Sequence, residues 1–313
     1  MHVTAGVSRA NAHPQSDDWL TLCAIGAAAA SLSAVAHEAL GHGGGCLAVR
    51  GTITLLTSIF FRCQGGTYWT DLAGPLSNLT ASALAFVALV RGRWQSPARV
   101  FLFMVAAFNA FWFGGQLMMS GLLNTEDLAF VARDRSWPEL WRVIAFALGA
   151  AVYVAALRGT AWCARRIVAS GQSRYRMHRL GIPYVAGMVS AVIAGLLWRG
   201  DPVGSAQQAI LTFGVAPIGI WFAAARAAQR SAQRSDAAPI ERSPSWIVFG
   251  ALVFVLFAVI QGRGIGRFAS ADCNDARCAT YERDDPRWVV YTKRAISSTG
   301  SRGRRGNVLL SSP

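Results

Sequence analysis

The stretch HEALGH, residues 37–42, puts two histidines and a glutamate at the end of an apolar run, and three glycines, Gly43, Gly44 and Gly45, follow at once. Imidazole and carboxylate groups are ligands for a divalent cation, and a carboxylate beside them can take a proton from a water molecule. The spacing here is H-E-x-x-x-H, one residue longer than the H-E-x-x-H zinc pattern. On a regular α-helix, residues five apart lie about 140° out of register. Either the helix ends or bulges at this point, or His37 and His42 do not share a cation. A π-type bulge would return positions i and i+5 towards one face, and Gly41 would ease such a break. A regular helix would instead pair Glu38 with His42, four apart. A hydrogen-bonded interior role for each histidine stands beside the metal reading.

Other ionisable residues narrow the choice, because a charged group at membrane depth is costly and faces a polar interior. Besides His37, Glu38 and His42, the candidates are Asp71 at the start of a second apolar run and Glu126 with Asp127 just past a third. If consecutive runs alternate in direction, all of these lie near one face. Asp71 could equally cap a helix, and Glu126 and Asp127 could be interfacial charges.

The elements that must position these groups are read from composition. The chain has 313 residues, of which 53% are hydrophobic and 15% charged. Apolar windows of bilayer-spanning length, about 20 residues each, fall at about 19–41, 72–90, 100–123, 140–157, 181–198, 208–225 and 246–262. The expected fold is therefore an all-α polytopic membrane protein with six to seven transmembrane helices. Seven is the count by windows; six is open because Arg142 and Pro217 intrude on the fourth and sixth. Asp17 and Asp18 precede the first window where a cleaved leader would carry positive charge, so it reads as a span.

The net charge of +14 is almost entirely arginine, with Lys293 the single lysine. In a soluble chain it would suggest nucleic acid; here it reads as topology, with no nucleic-acid partner. With seven spans, the connections at 91–99, 158–180 and 226–244 hold thirteen arginines and the opposite ones six. That bias places the N-terminus in the cytoplasm and the tail outside. Cys273 and Cys278 in that tail could then form a disulfide, while Cys23, Cys46, Cys63 and Cys163 read as small buried thiols. Trp19, Tyr184 and Trp246 fit interfacial anchoring.

Four segments follow: a flexible N-terminus, 1–18; a core of three spans, 19–130; further spans, 131–262; and an extramembrane tail, 263–313. Between the first two spans, GTITLLTSIFFRCQGGTYWTD (51–71) is rich in β-formers and bounded by glycine, so it reads as a short strand or hairpin. WVVYTK (288–293) is a candidate strand.

Taken together, HEALGHGGGCLAVRGTI (37–53), DLAGPLSNLTASALAF (71–86) and FNAFWFGGQLMMSGLLNTEDLAF (108–130) resemble the site-2 protease family of intramembrane zinc metalloproteases. The resemblance covers roughly residues 20–130 and rests on the histidine motif leading to a glycine-initiated strand at Arg50-Gly51, AGPLSN at 73–78, and the Asn109 and Asn124-to-Asp127 segments in the third stretch. It departs from the family in the extra residue between the histidines and in lacking an L-D-G string. It implies Zn²⁺ as cofactor, with His37, His42 and Asp127 as ligands, Glu126 a rival to Asp127, and Glu38 as general base. It also implies Asn78 and Asn109 as substrate-binding residues, and a membrane-associated peptide or protein as substrate. Family members generally place this end nearer the cytoplasm, whereas the arginine bias places it nearer the outside.

AGPLSN has its own physical logic. Ala73 and Gly74 permit close backbone approach, Pro75 suits a first helical turn, and Asn78 lies one turn inside, where it could serve a substrate carbonyl or tie two helices together. Two other functions compete: a catalytically inactive relative acting as a membrane scaffold or metal-binding protein, and a transporter using Glu38 and Asp71 as cation sites. The transporter reading lacks the paired broken-helix signals of inverted repeats.

Overall fold

The computed structural model describes residues 16–167, 173–230 and 239–266. Seven helical stretches among them are long and apolar enough to cross a membrane: Trp19–Ala48, Tyr68–Arg91, Ser96–Leu123, Leu140–Arg165, His178–Leu196, Pro202–Arg226 and Pro244–Gly262. The chain is a multi-pass integral membrane protein, and among the described residues its β component is one small hairpin. The Cys273/Cys278 pair and the strand expected at 288–293 lie outside the described residues.

The first span is built in three parts: α1 (Trp19–Ala34), a π-helical segment (Val35–Gly43) and the short α2 (Gly44–Ala48). The chain then forms β1 (Thr52–Leu56) and β2 (Phe61–Gln64), followed by α3 (Tyr68–Arg91), α4 (Ser96–Leu123) and α5 (Glu126–Asp134). Next come α6 (Leu140–Ile167) and α7 (Ser173–Leu196). The sixth span is α8 (Pro202–Ile210) joined through a π turn and a 3₁₀ turn to α9 (Gly219–Arg230), and the seventh begins with α10 (Pro244–Phe257).

Neither intruder breaks its span. Arg142 sits in the first turn of α6, and its Nε and Nη2 donate to the carbonyls of Gly121 and Leu122 at 3.0 and 2.9 Å. Those carbonyls end α4 and have no partner inside their own helix. Pro217 lies in the kink between α8 and α9, where two tyrosines from other spans take up carbonyls. Tyr153 donates to Ala216 O at 2.9 Å and Tyr184 to Gly214 O at 2.5 Å. Satisfaction of this kind lets a proline persist in a lipid-embedded helix. Tyr184 is thus buried in helix packing, 7% exposed, and not an interfacial anchor, whereas Trp19 is 63% exposed as expected.

Helix α4 is the central member, with α1, α3 and α6 packed around it, while α7 and α10 pack on α1. Phe103, Phe108 and Phe111 from α4 fill the core with Leu22 and Ile25 of α1 and Phe213 of the sixth span. Asp18 caps α1 by accepting from Thr21 N at 2.8 Å. Its neighbour Asp17 accepts from Arg179 Nε at 2.8 Å, from Arg179 Nη2, and from Ile240 N at 2.7 Å. The starts of spans one and five therefore share a face; the end of span one and α5, which follows span three, lie at the opposite one.

The hairpin is antiparallel, with Thr52 opposite Gln64 and Leu56 opposite Phe61, and Leu56 also bridges to Ile265. Leu55, Leu56, Thr57, Ser58 and Ile59 are buried, so it is tucked into the helices. The expectation of free thiols at Cys46 and Cys63 is corrected: the two form a disulfide that ties α2 to β2. Sequence could not show this because the partners are 17 residues apart on different elements. Helix α3 begins at Tyr68 on a Thr67 cap, so Asp71 lies in its first turn without capping it. Pro75, expected in the first turn, lies two turns inside and leaves the Asp71 carbonyl without its usual donor.

Candidate metal centre

The π segment answers the spacing question. In a π-helix each turn closes between i and i+5, so His42 stands above His37, and their Nε2 atoms are 3.2 Å apart. Glu38 and His42 do not form the pair a regular helix would give. Asp127 completes the group from α5: its Oδ2 lies 3.3 Å from His37 Nε2 and 3.2 Å from His42 Nε2. Asn124, at φ 55°, closes α4 in the left-handed region, and Glu126, at φ 67°, turns the chain again. This double reversal aims the Asp127 carboxylate back at the first span.

Each ring is held. His42 Nδ1 donates to Thr70 O at 2.7 Å, and Phe61 stacks on its ring at 5.5 Å between centroids. Trp112 of α4 stacks on His37 at 4.2 Å. Gln116, one helical turn further on, donates through Nε2 to Asp127 Oδ2 at 2.5 Å. Thr70, Trp112 and Gln116 were not foreseen from sequence; a census of uncharged polar residues inside the third span would have found Gln116.

These three atoms fit a cation. Tetrahedral zinc with bonds near 2.0 Å keeps its ligands about 3.3 Å apart, which is the edge of this triangle. The proton inventory agrees. With its Nδ1 hydrogen committed to Thr70, a neutral His42 presents an Nε2 lone pair to a carboxylate oxygen 3.2 Å away. Two lone pairs at that distance repel, and a shared cation, whether a metal ion or a proton on Nε2, removes the conflict. A buried His-His-Asp group able to hold a metal ion is therefore present.

Glu38 is 3% exposed, its side chain has no hydrogen bond among the described residues, and it lies in Coulombic range of His42 and Asp127. Glu126, the rival to Asp127, faces elsewhere: its Oε1 accepts from Gln208 Nε2 of α8 at 3.3 Å. Burial, then the Asp127 charge, push the Glu126 carboxyl up to about 7, against the opposing hydrogen bond from Gln208. Asn78 is fully buried and interacts with the His37 ring at a geometry short of a full hydrogen bond; among the described residues neither its amide atoms nor His37 Nδ1 has another partner. Asn109 donates to Ser33 Oγ and Val105 O, both at 2.8 Å, which joins α4 to α1; its Oδ1 is buried with no partner among the described residues. Asp71 is not a member of the group.

The glycine of AGPLSN is what lets α3 approach. A Cβ on Gly74 would overlap the His42 ring, and one on Gly41 would come 2.7 Å from Gly74 Cα. Overpacking of this kind costs about 1–3 kcal/mol. Gly74→Ala is therefore expected to weaken metal binding about tenfold or more, read by titration with a chromogenic chelator. Gly44→Ala, where a Cβ meets nothing within 4 Å, should leave affinity unchanged.

Fold and site together define a multi-pass membrane protein with a buried His-His-Asp group able to hold a metal ion at one membrane face. Comparison with protein-family models, with curated proteins and with solved structures finds no match to this chain.

Proposed function

We propose that the protein is an intramembrane zinc metallopeptidase of the site-2 protease type, cleaving extended, membrane-associated peptide substrates. The observation that carries this reading is the π turn. It supplies the geometry that the H-E-x-x-x-H spacing withholds on a regular helix, and so weakens the case for a silent scaffold. Bound by His37, His42 and Asp127, zinc supplies Lewis acidity and lowers the pKa of water towards neutrality. Glu38, without a partner of its own, accepts the proton as water attacks the peptide carbonyl and passes it to the leaving amine. Asn78, buried beside His37, offers its amide N–H to the carbonyl oxygen where charge builds up. The hairpin, whose Phe61 covers His42, lies where an extended backbone can be aligned.

The arginine bias places this face outside the cytoplasm, and a disulfide at Cys46–Cys63 suits an oxidising compartment. The test is metal analysis of the purified chain with hydrolysis of a quenched peptide in proteoliposomes. One zinc per chain together with zinc-dependent cleavage is expected. Absence of stoichiometric metal, or metal content unchanged in His37→Ala and His42→Ala, removes the reading.

A further inference from the structure

On the face opposite the histidine group, a cavity of about 450 Å³ opens between α6 and α9, lined by Val154, Leu157, Arg158, Ala161, Arg165 and Arg226. Arg158 and Arg165 are seven apart, two turns of one helix face. Arg226 comes from α9, which packs on α6. None of the three has a hydrogen bond or ion pair among the described residues, and no acidic side chain lines the cavity. Three guanidinium groups that no described residue neutralises line one cavity near this end of the two spans, and their forked donors match phosphate oxygens.

The depth of the cavity selects the anion. Arg165 and Arg226 end their spans, while Arg158 lies seven residues, about 10 Å, further in. Val154 is one turn membrane-ward of Arg158, and Phe222 one turn membrane-ward of Arg226; they are 43% and 58% exposed. Each helix thus repeats one order along the membrane normal, with an exposed apolar side chain below a cation. That order suits a phosphate joined to acyl chains and gives a free ion nothing below the charge. We propose that this cavity binds the headgroup of an anionic phospholipid, with its acyl chains lying along Val154 and Phe222.

The full chain, purified in detergent, is offered phosphatidylglycerol, phosphatidylcholine or inorganic phosphate, and retained lipid is counted by native mass spectrometry. Phosphatidylglycerol should be held at least about tenfold more tightly than phosphatidylcholine, and excess inorganic phosphate should not displace it. Each Arg→Gln change at 158, 165 or 226 should weaken retention about fivefold, a juxtamembrane arginine's share of anionic-lipid attraction. Arg91→Gln, on the same face outside the cavity, should not. The exposed Arg226→Gln is the informative variant should the triple change fail to fold. Equal retention of the two lipids, retention unchanged in Arg226→Gln, or displacement by inorganic phosphate overturns the proposal.

Discussion

Replacing His42 by alanine is expected to abolish stoichiometric zinc and, with it, peptide hydrolysis, whereas Glu38→Gln keeps the metal and loses the hydrolysis. The two variants separate holding a cation from using it. His42 gives Nε2 to the triangle and Nδ1 to Thr70 O, so its loss removes one of three ligands and the tie to α3. Loss of a single hydrogen-bonded neighbour of a metal ligand lowers affinity 10–100-fold, and loss of the ligand itself should exceed that. Glu38 touches none of the three ligand atoms through a hydrogen bond, so its amide analogue leaves the triangle in place. A missing general base lowers turnover by about 10²–10⁴-fold. Elemental analysis and turnover on the same preparations check both halves. Zinc lost equally from Glu38→Gln would make Glu38 a ligand and would leave the chemistry without its base.

Asp17→Asn should be the most destabilising change remote from the site. The Asp17 and Arg179 side chains are 8% and 5% exposed, and Asp17 also accepts from Ile240 N, so one carboxylate joins the starts of spans one and five to the segment leading into span seven. Asparagine leaves the Arg179 charge buried without its counter-ion, a loss of about 3–5 kcal/mol. For a chain of this size that lowers the midpoint of thermal unfolding by roughly 5–8 °C. Asp18→Asn, one residue on, alters only a helix cap and should cost about 1 kcal/mol or less. The double change Asp17→Leu with Arg179→Leu should recover most of the stability, because a buried ion pair and an apolar pair of like volume are often equivalent. Differential scanning fluorimetry on the four proteins decides it.

The architecture was legible because it follows from apolar length. All seven windows became spans, and the Thr- and Ile-rich stretch after Gly51 became the hairpin. Boundaries were less legible where capping outranks hydropathy: α3 starts at Tyr68 because Thr67 caps it, not where the apolar window opens at 72. At the site, residue types pointed to His37, His42 and the Glu126/Asp127 pair, but choosing between the acids required the turn set by Asn124 and Glu126, whose left-handed angles no spacing rule encodes. Tyr184 and the Cys46–Cys63 pair were misread for a common reason. Each acts through a partner distant in sequence, a carbonyl freed by a kink or a second sulfur on a strand, and periodicity carries no information about such partners.

The widened turn at Val35–Gly43 bears on how a spacing pattern should be understood. Counting letters between two ligands measures the winding of the backbone that carries them, not the chemistry they perform. Leu40, inside the turn, is 70% exposed; trimming it out would let the backbone rewind to four-residue steps with both rings still facing Asp127. On the proposed reading a cation would meet the same three atoms through either winding, and one inserted letter would be a change of thread pitch that leaves the socket intact.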